Sequence, residues 1–283
     1  MLRHYHLPTV GSRRLSELRA PQIDELVTSQ SVLVQPVGSI EQHGAHLPFE
    51  TDLVVAATAA QTVVEERGDE LDLWLLPPLA YTKSNEHAWS AGTIWLSPTT
   101  LLAVLDDLGR SLASLPARRL AFVNGHGGNT ALLNVACREI RLRHRLLTFL
   151  LHPQVPPDHG GPSVEAELGM GIHGGLEETS VMLHLRPDLV DMSRAERHVP
   201  EAMASNRHVR FGGTVAFGWT SDDFGPSGVI GDPTAATAEQ GKVLFETAVR
   251  SLGEALSEVA SFEFPSSIGL IRGAEGESPP PLR

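Results

Sequence analysis

At 283 residues, 41% hydrophobic and 20% charged, the chain has the length and composition of a folded protein with a sizeable core, which excludes disorder for its bulk. Thirty-four acidic against twenty-two basic residues give a net charge of -12, which disfavours nucleic acid and anionic membrane surfaces as partners. The single cysteine, Cys137, excludes an internal disulfide and fits a reducing, cytoplasmic setting, and no apolar run is long enough to span a bilayer.

Apolar runs suited to buried strands alternate with helix-period segments, the pattern of a parallel sheet with helices on its faces. The first strand is expected over 31–38 (SVLVQPVG), followed by a helix over 52–67 that starts near Asp52. A second strand over 71–79 (LDLWLLPPL) leads through a long loop to a helix over 98–115. The third strand, 120–124 (LAFVN), precedes a helix that Asn129 can cap and that runs to His144. The fourth, 146–151 (LLTFLL), opens into a Pro/Gly-rich loop reaching residue 171. A helix over 176–185 comes next, and a long amphipathic helix over 233–262 is announced by Asp232-Pro233. Residues 1–272 read as one domain and 273–283 (GAEGESPPPLR) as a disordered tail.

Ligands of open parallel sheets bind outside the carboxyl ends of the strands, and here all four strands are followed by histidines or carboxylates. Glu41 and His43, two residues apart, point to one side of an extended segment, and Asp52 can return to that side as the next helix begins. His126 adds an imidazole after the third strand. Any one of these is more often an ordinary turn residue, but a cysteine-free set of Glu, His, Asp and His suits Zn²⁺, Mn²⁺ or Fe²⁺, and a bridging carboxylate permits a pair of ions. The glycines around His126 could instead form a phosphate nest, although the segment lacks a P-loop lysine and G-x-G-x-x-G spacing. In the 176–185 helix Glu178 shares a stripe with Val181, Met182 and Leu185, which predicts a buried carboxylate, whereas Glu177 is predicted to be solvated. His173, just ahead of that helix, is the candidate proton carrier, because an imidazole titrates near about 6.5. Glu86 and His87, after the second strand, are candidate substrate contacts.

The segments PVGSIEQHGAHLPFETD (36–52), NGHGGN (124–129), HGGLEETS (173–180) and GVIGDPTAATAEQG (228–241) together resemble the creatininase family of metal-dependent amidohydrolases, over about residues 15–255. The resemblance implies a three-layer α/β/α sandwich with a central, mainly parallel sheet, two divalent ions per chain and a homohexamer. By position, Glu41, Asp52 and His126 would hold one ion and His43 and Asp52 the other, with Asp52 bridging. Gly128 stands where creatininase proper has a glutamate ligand of the second ion, so Glu178 is the candidate to complete that site. The loop over 152–172 lacks the tryptophan that covers creatinine, and Leu176 replaces a common acidic residue. Creatinine is therefore not the expected substrate. The Gly127-Gly128 form, a candidate substrate contact, resembles family branches that include formamide hydrolases and peptidases trimming the mycofactocin precursor. The expected function is hydrolysis of a C–N bond in a small-molecule amide, lactam or formamide by a metal-bridged water. The alternatives are a peptidase acting on a short precursor peptide and a noncatalytic metal- or phosphate-binding protein.

Overall fold

The computed structural model describes residues 12–154, 161 and 164–264. Four strands, β1 (Val32–Val37), β2 (Leu73–Leu75), β3 (Arg119–Asn124) and β4 (Leu147–Leu151), form a parallel sheet in the order β2-β1-β3-β4. Every residue of β1 and β3 is buried, as strands covered by helices on both faces require. The helices are α1 (Ala20–Leu26), α2 (Thr51–Leu71), α3 (Pro98–Leu112), α4 (Thr130–His144), α5 (Leu176–Leu185), α6 (Glu201–Ala204) and α7 (Ala238–Ser261).

Because side chains alternate along a strand, β1 and β3 feed two separate cores. Val32, Val34, Ala121 and Val123 pack with Val63 of α2, Val181 of α5 and Leu252 of α7. Leu33, Leu120 and Phe122 pack on the opposite face with Leu101 and Leu105 of α3 and Leu133 and Ile140 of α4. This is the expected three-layer arrangement. In-phase registers, Val32 opposite both Leu73 and Arg119, and Arg119 opposite Leu147, bring the strand ends to one edge. The strand order reverses at β1, so the segments after β1 and β3 flank the crevice where open α/β sheets bind ligands. Over this edge Met170, Phe211 and Ile230 build a small third core with Phe217, Trp219 and Phe224.

Several boundaries differ from those read in the sequence. The second strand has three residues rather than nine: α2 runs on to Leu71, with Asp72 as its left-handed C-cap, and after Leu75 the residues Pro77 and Pro78 cannot donate to the ladder, so that pairing resumes only as a single bridge between Leu79 and Val37. Asn129 precedes α4 but makes no side-chain cap. Its amide nitrogen donates instead to the Gly38 carbonyl and the Thr82 hydroxyl, joining the loops after β1, β2 and β3. The last helix starts at Ala238 rather than 233: Asp232 caps a separate turn, Pro233–Ala235, and Thr237 caps α7 by accepting from the Gln240 amide. Residues 273–283 lie outside the described residues. Among the described residues, no helix is long and apolar enough to cross a membrane.

Helices α5 and α7 meet so closely that a Cβ on Gly241 would overlap the Ser180 carbonyl oxygen. Gly241→Ala is expected to destabilise the fold by about 1–3 kcal/mol, read as a lower urea midpoint at unchanged slope.

Candidate metal centre

The turn after β1 carries Glu41 and His43 into the crevice. Gly38 lets α2 approach, since a Cβ there would overlap Leu53 Cα, and this contact returns Asp52 to the same place. His126 follows β3. All four side chains are buried and converge: His43 Nε2 lies 3.1 Å from Asp52 Oδ1, His126 Nδ1 3.0 Å from Asp52 Oδ2, and His126 Nε2 3.3 Å from Glu41 Oε2. Glu178 enters from α5, oriented by the Gly174 amide, which donates to its Oε2 at 2.6 Å. Potential ligand atoms of Glu41, Asp52 and His126 lie within 4.8 Å of one another, as do those of His43, Asp52 and Glu178. Asp52 is common to both sets. Glu41, His43 and His173 make a third such set.

These residues fit a pair of divalent ions. Glu41 Oε1 is buried without a hydrogen-bond donor, a costly arrangement for a carboxylate unless a cation completes it. Two serines steer the carboxylates: Ser39 Oγ donates to Asp52 Oδ2 at 2.7 Å and Ser84 Oγ to Glu41 Oε2 at 2.5 Å. Both hydroxyls escaped the sequence reading, because nothing local to Ser39 or Ser84 indicates which carboxylate each will meet.

The charge balance points the same way. Burial pushes Glu41 up to about 7, against the opposing pull of His126. Burial likewise raises Glu178 to about 7, with His43 opposing. Burial by itself would lower His43, but Asp52 beside it lifts the imidazole to about 10. Burial alone would raise Asp52, yet His43 and His126 together hold it well below the usual carboxylate range. At pH 7 the metal-free centre therefore retains protons that metal ligation must displace. Zn²⁺ uptake near pH 7 is expected to release protons, seen as a calorimetric enthalpy that changes with the ionisation enthalpy of the buffer; a buffer-independent enthalpy would contradict this charge state.

Beside the centre lies a cavity of about 240 Å³, whose lining includes Glu86, His87, Gly127, Gly128, His173 and Glu178. The structure thus brings every residue singled out in the sequence to one place. Glu177 and Glu178 do not differ in exposure as expected: both are half-buried, and Glu177 also lines the cavity, where its carboxylate accepts from Gln154 Nε2. It belongs to neither ligand set that contains Asp52. Glu86 is buried, receives Lys83 Nζ at 2.5 Å and stands 3.5 Å from His126 Nε2. Burial alone would raise its carboxyl, but His126 and Lys83 bring it down to about 2. A Cβ on Gly128 would overlap Glu86 Oε1, so a carboxylate from the loop after β2 fills the volume that a side chain at 128 would enter. Trp219, from a segment remote in sequence, supplies an aromatic wall that the tryptophan-free loop did not lead one to expect. Gln42, Lys83, Gln154 and Glu167 were likewise not singled out.

Residues 16–256 match the family model for creatininase, described as creatinine amidohydrolase. The chain is 36% identical to the mycofactocin precursor peptide peptidase of Mycobacterium ulcerans, over 86% of this chain and 89% of that protein. It is 37% identical to the protein of the same name from Mycolicibacterium smegmatis, over 88% and 93%. The creatinine amidohydrolase of Pseudomonas putida is 31% identical, over 83% and 90%. In structure the chain resembles creatininase with a TM-score of 0.69 at 27% identity, covering 88% of this chain and 98% of that one. The match along nearly the whole length, in sequence and in fold, places the chain in the creatininase family of amidohydrolases.

Proposed function

We propose that the chain is a metal-dependent peptidase that hydrolyses an amide C–N bond in a short or precursor peptide. The observation that carries the hydrolytic reading is the pair of ligand sets sharing Asp52 at the wall of a buried cavity. The relatives named mycofactocin precursor peptide peptidase favour a peptide over a free small molecule. At about 240 Å³ the cavity falls below the roughly 300–1,000 Å³ that encloses a drug-sized ligand, so it suits a scissile amide with its nearest substituents. Val55, Ala131, Ile172 and Leu176 offer these substituents an apolar surface. That small volume also supports a second reading, a small amide or lactam.

Bound by Glu41, His43, Asp52, His126 and Glu178, divalent ions such as Zn²⁺, Mn²⁺ or Fe²⁺ would polarise the amide carbonyl and acidify a water molecule. His173 then serves as the proton carrier. Its Nε2 lies 2.7 Å from the Gln42 carbonyl oxygen, which can only accept, and 3.3 Å from the Gln42 side-chain nitrogen; the shorter contact puts the proton on Nε2 and leaves Nδ1 a lone pair. Nδ1 faces the centre, 3.7 Å from Glu41 Oε1, placed to take a proton and pass it to the departing nitrogen.

The test is a panel of peptides, lactams, formamides and creatinine, analysed by mass spectrometry. Peptide cleavage is expected, lost on chelation and restored by added metal, with creatinine poorly used. Creatinine turnover on the order of 10 per second with peptides left intact would reverse the substrate assignment. The exposed Tyr81, Trp89, Ile94 and Trp95 support the proposal of a homo-oligomer, which sedimentation velocity tests.

A further inference from the structure

His87 is buried against the centre yet belongs to none of the three ligand sets. Its Nε2 lies 3.3 Å from Glu41 Oε1 without being aligned to bond to it, and its ring packs on His173 with centroids 4.2 Å apart at an interplanar angle of 37°. Whether Nε2 offers a proton or a lone pair is decided by its other nitrogen. Nδ1 lies 2.9 Å from Gln42 Nε2. The Gln42 amide is itself fixed, because its Oε1 accepts the Gly44 backbone N–H at 2.8 Å, which leaves the NH₂ group to face His87. Ser221 agrees with this orientation: its hydroxyl donates to the Glu86 carbonyl at 3.2 Å and is therefore an acceptor towards Gln42 Nε2, 3.5 Å away. Gly228, at φ 68°, leaves room for the amide, since a Cβ there would overlap Gln42 Nε2.

From this chain of donors and acceptors we infer that Gln42 locks His87 in the Nε2–H form, so that His87 presents a fixed hydrogen-bond donor to the substrate's carbonyl oxygen and does not ligate metal. His173 and His87 thus carry their protons on the same ring atom but face the cavity with opposite character, a lone pair from one and an N–H from the other. His87 keeps that proton throughout: it lends a hydrogen bond and no bond to it breaks. Gln42 acts through His87 and is a positioning residue. The substrate role rests on the hydrolase reading; the tautomer does not.

The test is ¹⁵N NMR of imidazole-labelled, Zn²⁺-loaded full-length protein, with the His87 signals identified by their loss in His87→Gln. The expected spectrum has His87 Nδ1 unprotonated and Nε2 protonated. Gln42→Glu keeps an acceptor for the Gly44 N–H but presents only acceptors to His87, so it should move the proton to Nδ1. The rate is then expected to fall about 100-fold, the usual loss for one transition-state donor, with metal content unchanged. If Gln42→Glu does not fold, Gln42→Met removes the lock, and a mixture of tautomers is expected. A protonated Nδ1 in the unmodified protein, metal lost in His87→Gln, or undiminished hydrolysis by His87→Phe, which has no donor, would each overturn the inference. Absence of hydrolysis by the unmodified protein, with the tautomer as stated, would instead defeat the hydrolase reading and with it the substrate role of His87.

Discussion

Asp52→Asn is expected to cost more than any other single substitution: loss of both metal ions after reconstitution and a fall in hydrolysis of at least about a thousandfold, since metal catalysis supplies several kcal/mol of transition-state stabilisation. The expectation follows from position. Asp52 is the one residue common to the Glu41–His126 and His43–Glu178 sets, and its two oxygens face different histidines. Asparagine preserves the shape, and its amide can still meet the Ser39 hydroxyl, so circular dichroism should report an intact fold. Elemental analysis decides the matter. Two ions retained by Asp52→Asn would show that the sets are filled independently and that no bridge exists.

The second large effect belongs to Glu178→Gln, expected to lose one of the two ions and most activity with the fold intact. Gly128 offers no side chain, and Glu86, which occupies that volume, is engaged by Lys83 and lies outside the ligand sets. Glu178 is then the carboxylate that joins His43 and Asp52. Glu177→Gln is the control: it should keep both ions, because Glu177 belongs to neither set containing Asp52, although its place in the cavity wall makes a change in KM the expected consequence. One ion lost from Glu177→Gln and none from Glu178→Gln would mean that α5 is rotated relative to the centre. Two ions retained by both would mean that another group completes the site.

The sheet, its layers and the five metal-ligand candidates were legible in the sequence because each depends on information within one segment. Alternation along β1 and β3 specifies two buried faces, and the i, i+3, i+4 spacing of Glu178, Val181 and Met182 specifies a helix stripe, whatever lies opposite. The same logic misplaced Glu177: about 100° of helix rotation separates it from Glu178, but whether the next sector meets water or another wall depends on the loop bearing Gln154. Asn129 stands at a helix start, where a cap is expected, but its actual partners, Gly38 and Thr82, are 91 and 47 residues away. Glu86 entering the space beside Gly128, Ser39 and Ser84 each holding one carboxylate oxygen, and Trp219 closing the cavity are contacts between segments whose relative placement no local period encodes. Which residue types stand at the ends of the strands is written in the order of the amino acids alone. Tertiary structure decided which oxygen is held by a hydroxyl, which is left for a cation and which nitrogen of His87 and His173 faces the cavity, because donor and acceptor assignments follow from completed networks and not from any one segment.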